Sequence, residues 1–120
     1  MTPDRAILAV GALLAALGVA LGAFGAHGLR ATLDETRLGW WHTGVQYHLW
    51  HAVALVALAA VPLGSLRGPA WVLALGILIF SGSLYVMALT GQRWLGAVTP
   101  LGGLCFIAGW LWLAWRALRA

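Results

Sequence analysis

Four long apolar runs divide this chain, at 6–26, 44–63, 70–90 and 97–115, and its polar residues collect in the stretches between them. Each run has about 20 residues, the length a helix needs to cross about 30 Å of hydrocarbon. In lipid the backbone has to satisfy its hydrogen bonds internally, so runs of this kind predict helices. Gly64-Ser65-Leu66-Arg67-Gly68-Pro69 and Gly91-Gln92-Arg93 read as tight polar turns, the first with a proline opening the next helix. Short turns make successive helices antiparallel neighbours. The expected fold is an all-α membrane protein, one domain over 1–120, built as a four-transmembrane-helix antiparallel bundle.

Two details refine the pattern. The only long polar stretch, 27–41, contains Thr32 followed three residues later by Glu35, the spacing of a capping box. It reads as a short interfacial helix between helices 1 and 2, with Trp40 and Trp41 at headgroup depth. In the first run, small residues recur at Gly11, Ala15, Gly18, Gly22 and Gly25 in alternating steps of four and three. They pave one helix face for close backbone approach.

Composition moves the reading firmly into the membrane. Of 120 residues, 62% are hydrophobic and 8% charged, against about 25% charged in soluble domains. A cleaved signal peptide is the rival reading of the first run, but that run is too long for one and more membrane follows. The net charge of +4 comes from seven arginines and three acids, without lysine. The arginines stand singly at the ends of apolar runs, as membrane flanks do, so the expected partner is the lipid bilayer and not nucleic acid. With both termini cytoplasmic, the inner side holds Arg5, Arg67, Arg116 and Arg119, and the outer side Arg30, Arg37 and Arg93. That small excess favours cytoplasmic termini. Cys105 stands alone, so an intrachain disulfide is impossible.

Chemistry is confined to few residues. The assumed topology brings His27, Gln46, Tyr47, His48, His51, Tyr85, Thr90 and Thr99 to one side, an outer-leaflet His/Tyr cluster. Polar side chains inside a membrane are costly and face the bundle interior, so such a cluster is where function is sought. His51 reads first as an interhelical tie to Tyr85 or Thr99, His48 as a residue close enough to the interface to be wet, and His27 as a helix-end residue. Ser81 and Ser83 can bond back to their own helix or flank a close contact at Gly82. The sharper alternative is a metal site at His27, His48 and His51, or a haem, copper or quinone site using His27 and His51. The His48-x-x-His51 spacing is a loose signal for it. Covalent haem attachment by a Cys-x-x-Cys-His motif is excluded, and no carboxylate lies within a run to support a proton or cation path.

Together, Gly22-Ala-Phe-Gly-Ala-His-Gly28, Thr43-Gly-Val-Gln-Tyr47 with His51, Phe80-Ser-Gly-Ser-Leu-Tyr85 and Thr99-Pro-Leu-Gly-Gly103 resemble the small inner-membrane family called domain of unknown function 423. That family takes in bacterial YgdD-like proteins and eukaryotic transmembrane protein 256. The resemblance covers essentially the whole chain. It implies a four-span bacterial inner-membrane protein with cytoplasmic termini and no established activity. The motif residues it carries over are His27, Tyr47, His51, Ser81, Ser83, Tyr85, Thr99 and Pro100. His42 and His48 stand outside the pattern, which shifts weight from a metal pair to a hydrogen-bonded cluster of His27, Tyr47, His51 and Tyr85. The expectation is a non-enzymatic structural, binding or accessory protein, in a homo-oligomer or a larger membrane complex. A cofactor-binding redox accessory and a small oligomeric transporter or channel are the alternatives.

Overall fold

The computed structural model describes residues 2–120, and all regular structure among them is helical. Helix α1 is Arg5–His27, α2 Glu35–Leu58 and α3 Arg67–Gly76; a π-helical turn, Ile77–Ser81, leads straight into α4, Gly82–Thr90. A 3₁₀ turn, Arg93–Ala97, then precedes α5, Thr99–Arg119. The third unit runs unbroken from Arg67 to Thr90, so the chain forms four long helical units. Three of them, Arg5–His27, Arg67–Thr90 and Arg93–Arg119, are long and apolar enough to cross a membrane. α2 matches them in length at 24 residues, but three histidines, a glutamine and its charged first turn dilute its apolar character.

The separate interfacial helix does not form, which corrects that part of the expected fold. Residues 28–34 make a turn, and α2 then passes through Trp41 and Thr43 into the apolar run without a break. Asp34, not Thr32, caps it: the Asp34 carboxylate accepts from the Arg37 N–H at 2.8 Å, while the Thr32 hydroxyl turns back to the Leu29 carbonyl. No proline or left-handed residue lies between 35 and 58 to end the helix.

Two glycine-lined seams hold the units together. On α1, Gly11, Gly18 and Gly25 are buried at seven-residue intervals, the repeat of an antiparallel pair packed along a stripe. A Cβ on Gly11 would come 2.9 Å from both Leu55 Cβ and the Val56 backbone nitrogen of α2, and one on Gly18 would come 2.6 Å from Leu49. Gly25 faces the Trp41 ring in the same way. At the other end of this pair, the Asp4 N–H donates to the Ala59 carbonyl at 2.8 Å. In the second seam, Gly68 and Gly76 face Trp112 and Phe106 of α5, while Gly109 and Gly102 of α5 face Leu73 and the Phe80 backbone.

Arginines clamp both ends. Arg37 donates to the Ala88 and Leu89 carbonyls at the close of α4, at 2.5 and 2.6 Å, where cation and helix dipole attract. Gly91, at φ 74°, ends that helix in the left-handed conformation its missing Cβ permits. At the opposite end, Arg116 donates to the Ser65 and Leu63 carbonyls at 2.8 and 3.0 Å, and Arg67 forms an ion pair with Asp4 at 2.7 Å. The molecule extends 49 × 26 × 17 Å, flattened because α1 packs chiefly on α2 and α5 chiefly on the third unit. An apolar groove is left between α1 and α3.

Candidate functional site

The interior polar groups sit mid-way along the bundle, not at one end. Arg37 marks the end where α4 stops, and His48, eleven residues on, lies about 17 Å further along α2 at 1.5 Å per residue. His51 is about 4.5 Å further along. Because α2 begins at Glu35 and not near Gly44, His48 and His51 lie well along α2 and not close to its start.

His48 is the buried hub. It is 2% exposed and joins three helical units. Its Nε2 lies 2.7 Å from the Leu14 carbonyl of α1, and a carbonyl only accepts, so Nε2 carries the proton. Nδ1 of the neutral ring then accepts the Tyr85 hydroxyl of α4 at 2.8 Å. Gly18, one turn beyond Leu14, is what lets the imidazole come this close: a Cβ there would meet His48 Cδ2 at 3.2 Å. Seven residues earlier on α2, Trp41 repeats the device by donating its indole N–H to the Leu21 carbonyl at 2.9 Å. Trp41 is 2% exposed, packed inside the bundle.

His51 adopts the opposite tautomer. Its Nδ1–H donates to the Tyr47 carbonyl at 2.7 Å, and its Nε2 accepts from the Trp110 indole N–H of α5 at 3.0 Å. Indole only donates, so Nε2 is bare and the ring neutral. The imidazole stacks on Phe106 with centroids 3.7 Å apart and planes 10° from parallel. Tyr47 packs beside it against Trp50 and Phe80. The tie to Tyr85 or Thr99 expected of His51 is thus made to Trp110, and Tyr85 belongs to His48. Phe106 and Trp110 went unread in the sequence, although their i, i+4 spacing puts them on one face of α5.

The serines flank the π-helical turn. Ser81 is fully buried and donates to the Gly44 carbonyl of α2 at 2.6 Å. Gly44 lets the third unit approach, since a Cβ would meet Tyr85 Cε1 at 2.9 Å. Ser83 shares a 2.6 Å hydrogen bond with Thr99 of α5 and lies 2.9 Å from the Phe80 carbonyl. Among the described residues every buried side-chain nitrogen and oxygen has a partner.

The structure does not bring His27 to this place. His27 is exposed at the end of α1, thirteen residues and about 20 Å from the carbonyl that His48 holds. The cluster of His27, Tyr47, His51 and Tyr85 therefore resolves into two separate ties, His48–Tyr85 and His51–Trp110 with Tyr47 alongside. Nor do His27, His48 and His51 gather as metal ligands; among the described residues no three His, Cys, Asp or Glu side chains stand together as a metal site would require. The lone pairs of His48 and His51 are already engaged by Tyr85 and Trp110.

The model of a family described as "Protein of unknown function (DUF423)" matches residues 21–103. This chain belongs to that family. The matched DUF423 segment holds His48, Tyr85, Ser81, Ser83 and Thr99, while Leu14, Phe106 and Trp110 fall outside it. Similar relatives include the "UPF0382 membrane protein YwdK" of Bacillus subtilis, 42% identical over 120 residues and covering 96% of this chain and 98% of that one. The "UPF0382 inner membrane protein YgdD" of Escherichia coli K12 is 40% identical over 122 residues, covering 97% and 92%. A "UPF0382 membrane protein" of Staphylococcus haemolyticus is 42% identical over 112 residues, covering 91% and 92%. No solved structure matches the chain. This DUF423 chain is a small helical membrane protein, and its interior couples helices through hydrogen-bonded neutral imidazoles.

Proposed function

We propose that this DUF423 protein is a non-enzymatic four-span accessory of the inner membrane, acting through its lipid-facing and end surfaces, with both termini cytoplasmic. The observation that carries this reading is the saturation of the two buried histidines. Each imidazole nitrogen is held by a named partner, in the Nε2–H tautomer for His48 and the Nδ1–H tautomer for His51. Such rings lock helices and leave no lone pair for a ligand. Four spans are supported by the α1–α2 seam, which runs from the Asp4–Ala59 bond to the Trp41–Leu21 bond. α2 therefore lies alongside nearly all of α1 and crosses wherever α1 does. Large apolar side chains on α1 and α5 face outward, among them Leu13, Leu17, Leu104 and Leu111, and suit lipid or a neighbouring subunit.

The test is mild solubilisation from the native membrane, followed by native mass measurement, a visible spectrum and elemental analysis. The expected result is a colourless, metal-free chain held in a larger assembly. A Soret band, or about one metal per chain that His51→Phe removes, would overturn the reading in favour of a redox accessory. A flux in proteoliposomes of the purified protein, abolished by Tyr85→Phe, would overturn it in favour of a transporter.

A further inference from the structure

At the Asp4 end of the molecule, a cavity of about 820 Å³ opens between the start of α1 and the α2–α3 connection. Its wall includes Asp4, Arg5, Ile7, Ser65 and Arg67. Directly along the same two helices lies the groove between α1 and α3, about 360 Å³, bounded by Val10, Leu14, Trp71, Ala74, Leu75 and Leu78. The two follow one another in register without sharing a lining residue. Ile7 of the cavity precedes Val10 of the groove by one turn of α1, and Arg67 precedes Trp71 by one turn of α3. A charged cup thus leads into an apolar channel, with an exposed tryptophan at the junction, where indole rings favour the headgroup boundary.

Charge selects the occupant. The cup holds Arg5, Arg67 and Asp4. Asp4 is engaged by Arg67 through contacts of 2.7 and 3.2 Å, and among the described residues Arg5 has no ion pair. Arg116 adds a third guanidinium beside Gly64, 3.4 Å from where a Cβ would stand. On the wall itself two cations stand against one anion, an excess of one, and Arg116 lies just outside it. α1 and α3 also both begin here, and α3 has no side-chain cap, so two helix N-termini aim their positive poles at the cup.

We infer that the cup and groove together bind one anionic phospholipid, its phosphate near Arg5 and Arg67 and one acyl chain along Leu14, Leu75 and Leu78. This inference rests on the membrane placement of α1 and α3 and is independent of the accessory reading.

Native mass spectrometry of the full chain in neutral detergent, with equal phosphatidylglycerol and phosphatidylcholine, tests it. One phosphatidylglycerol is expected to remain bound per chain, in preference to phosphatidylcholine. Arg5→Gln, which spares the ion pair, is expected to reduce that preference about fivefold, and Arg30→Gln at the far end to leave it unchanged. Leu78→Trp, at a residue 65% exposed and so tolerant of change, is expected to weaken retention of the acyl chain. Equal retention of both lipids, or a preference that Arg5→Gln does not alter, overturns the inference. So does a dimer in which Leu78→Trp breaks the contact, since the groove is then filled by a second copy.

Discussion

The two glycine seams solve the same packing problem in different ways. Between α1 and α2 all the close-approach glycines lie on α1, and α2 answers with hydrogen-bond donors, the Trp41 indole and the His48 imidazole reaching carbonyls of α1. Between the third unit and α5 the glycines alternate between partners, and the answering groups are the rings of Trp112 and Phe106, the Leu73 side chain and the Phe80 backbone. One-sided glycine exposes a helix's carbonyls to donors. Reciprocal glycine instead lets each helix seat bulky side chains of the other. Both are ways to associate where apolar surface alone gives no drive.

The comparison breaks most readily at Gly102. A Cβ there meets the backbone of Phe80, which cannot rotate away, so Gly102→Ala should cost about 1–3 kcal/mol or more in thermal unfolding. Gly18→Ala should cost less, because the atom it meets at 2.6 Å is a terminal methyl of Leu49. Equal losses would show that the seams do not differ in this way. Next in size is the histidine hub. In a double-mutant cycle, His48→Phe and Tyr85→Phe should couple by about 0.6 kcal/mol and at most about 1.7; additive losses would remove the bond as a stabilising tie. His51→Phe keeps a ring to stack on Phe106 but strands the Trp110 N–H, and restoring much of the loss with Trp110→Phe would identify that stranded donor as its cause. Gly82, where a Cβ would meet nothing within 4 Å, serves as the control outside both seams: Gly82→Ala should stabilise by up to about 1 kcal/mol.

The smallest effect is electrostatic. Arg67 beside Asp4 holds that carboxyl below its usual range. Its folded pKa is depressed, so its contribution is full above the unfolded value of about 3.9 and is lost as pH falls through the lower folded value. Melting temperature should hold steady from neutral pH to about 5 and slip slightly below about 4, and Asp4→Asn should remove that slope.

All-helical character and four long helices were legible from run length, because hydrocarbon thickness dictates it; all four runs read as spans, and three of the helices are apolar enough to cross a membrane. The start of α2 was not. Thr32 and Glu35 satisfy a capping-box spacing, yet Asp34 sits one residue from Glu35 and a carboxylate is the stronger acceptor for a helix N–H. That nine-residue error in where α2 begins put His48 close enough to an interface to read as wet. Which of two histidines three residues apart faces Tyr85 depends on rotation about the helix axis, and only the partner helices fix that. The resemblance carried over Tyr85, Ser81 and Thr99, which make ties between helices, but also His27, which is exposed, and it left out His48. It gave no hint of Trp110, because the partner of His51 lies on another helix with no local spacing to announce it.

The π-helical turn bears on how this chain tolerates insertions and deletions. A π turn accommodates one residue more than an α-helix of the same rise, so Ile77–Ser81 absorbs an extra residue and α4 keeps the phase of an uninterrupted helix one residue shorter. Removing one residue from that turn should restore an uninterrupted helix and leave α4 in its present phase, whereas removing one residue from α3 should swing α4 by about 100° relative to the helix below. Only in the second case would Ser81 and Tyr85 leave the faces that Gly44 and His48 await, so the π turn is the one place in this unit where the middle of the bundle should survive a one-residue deletion.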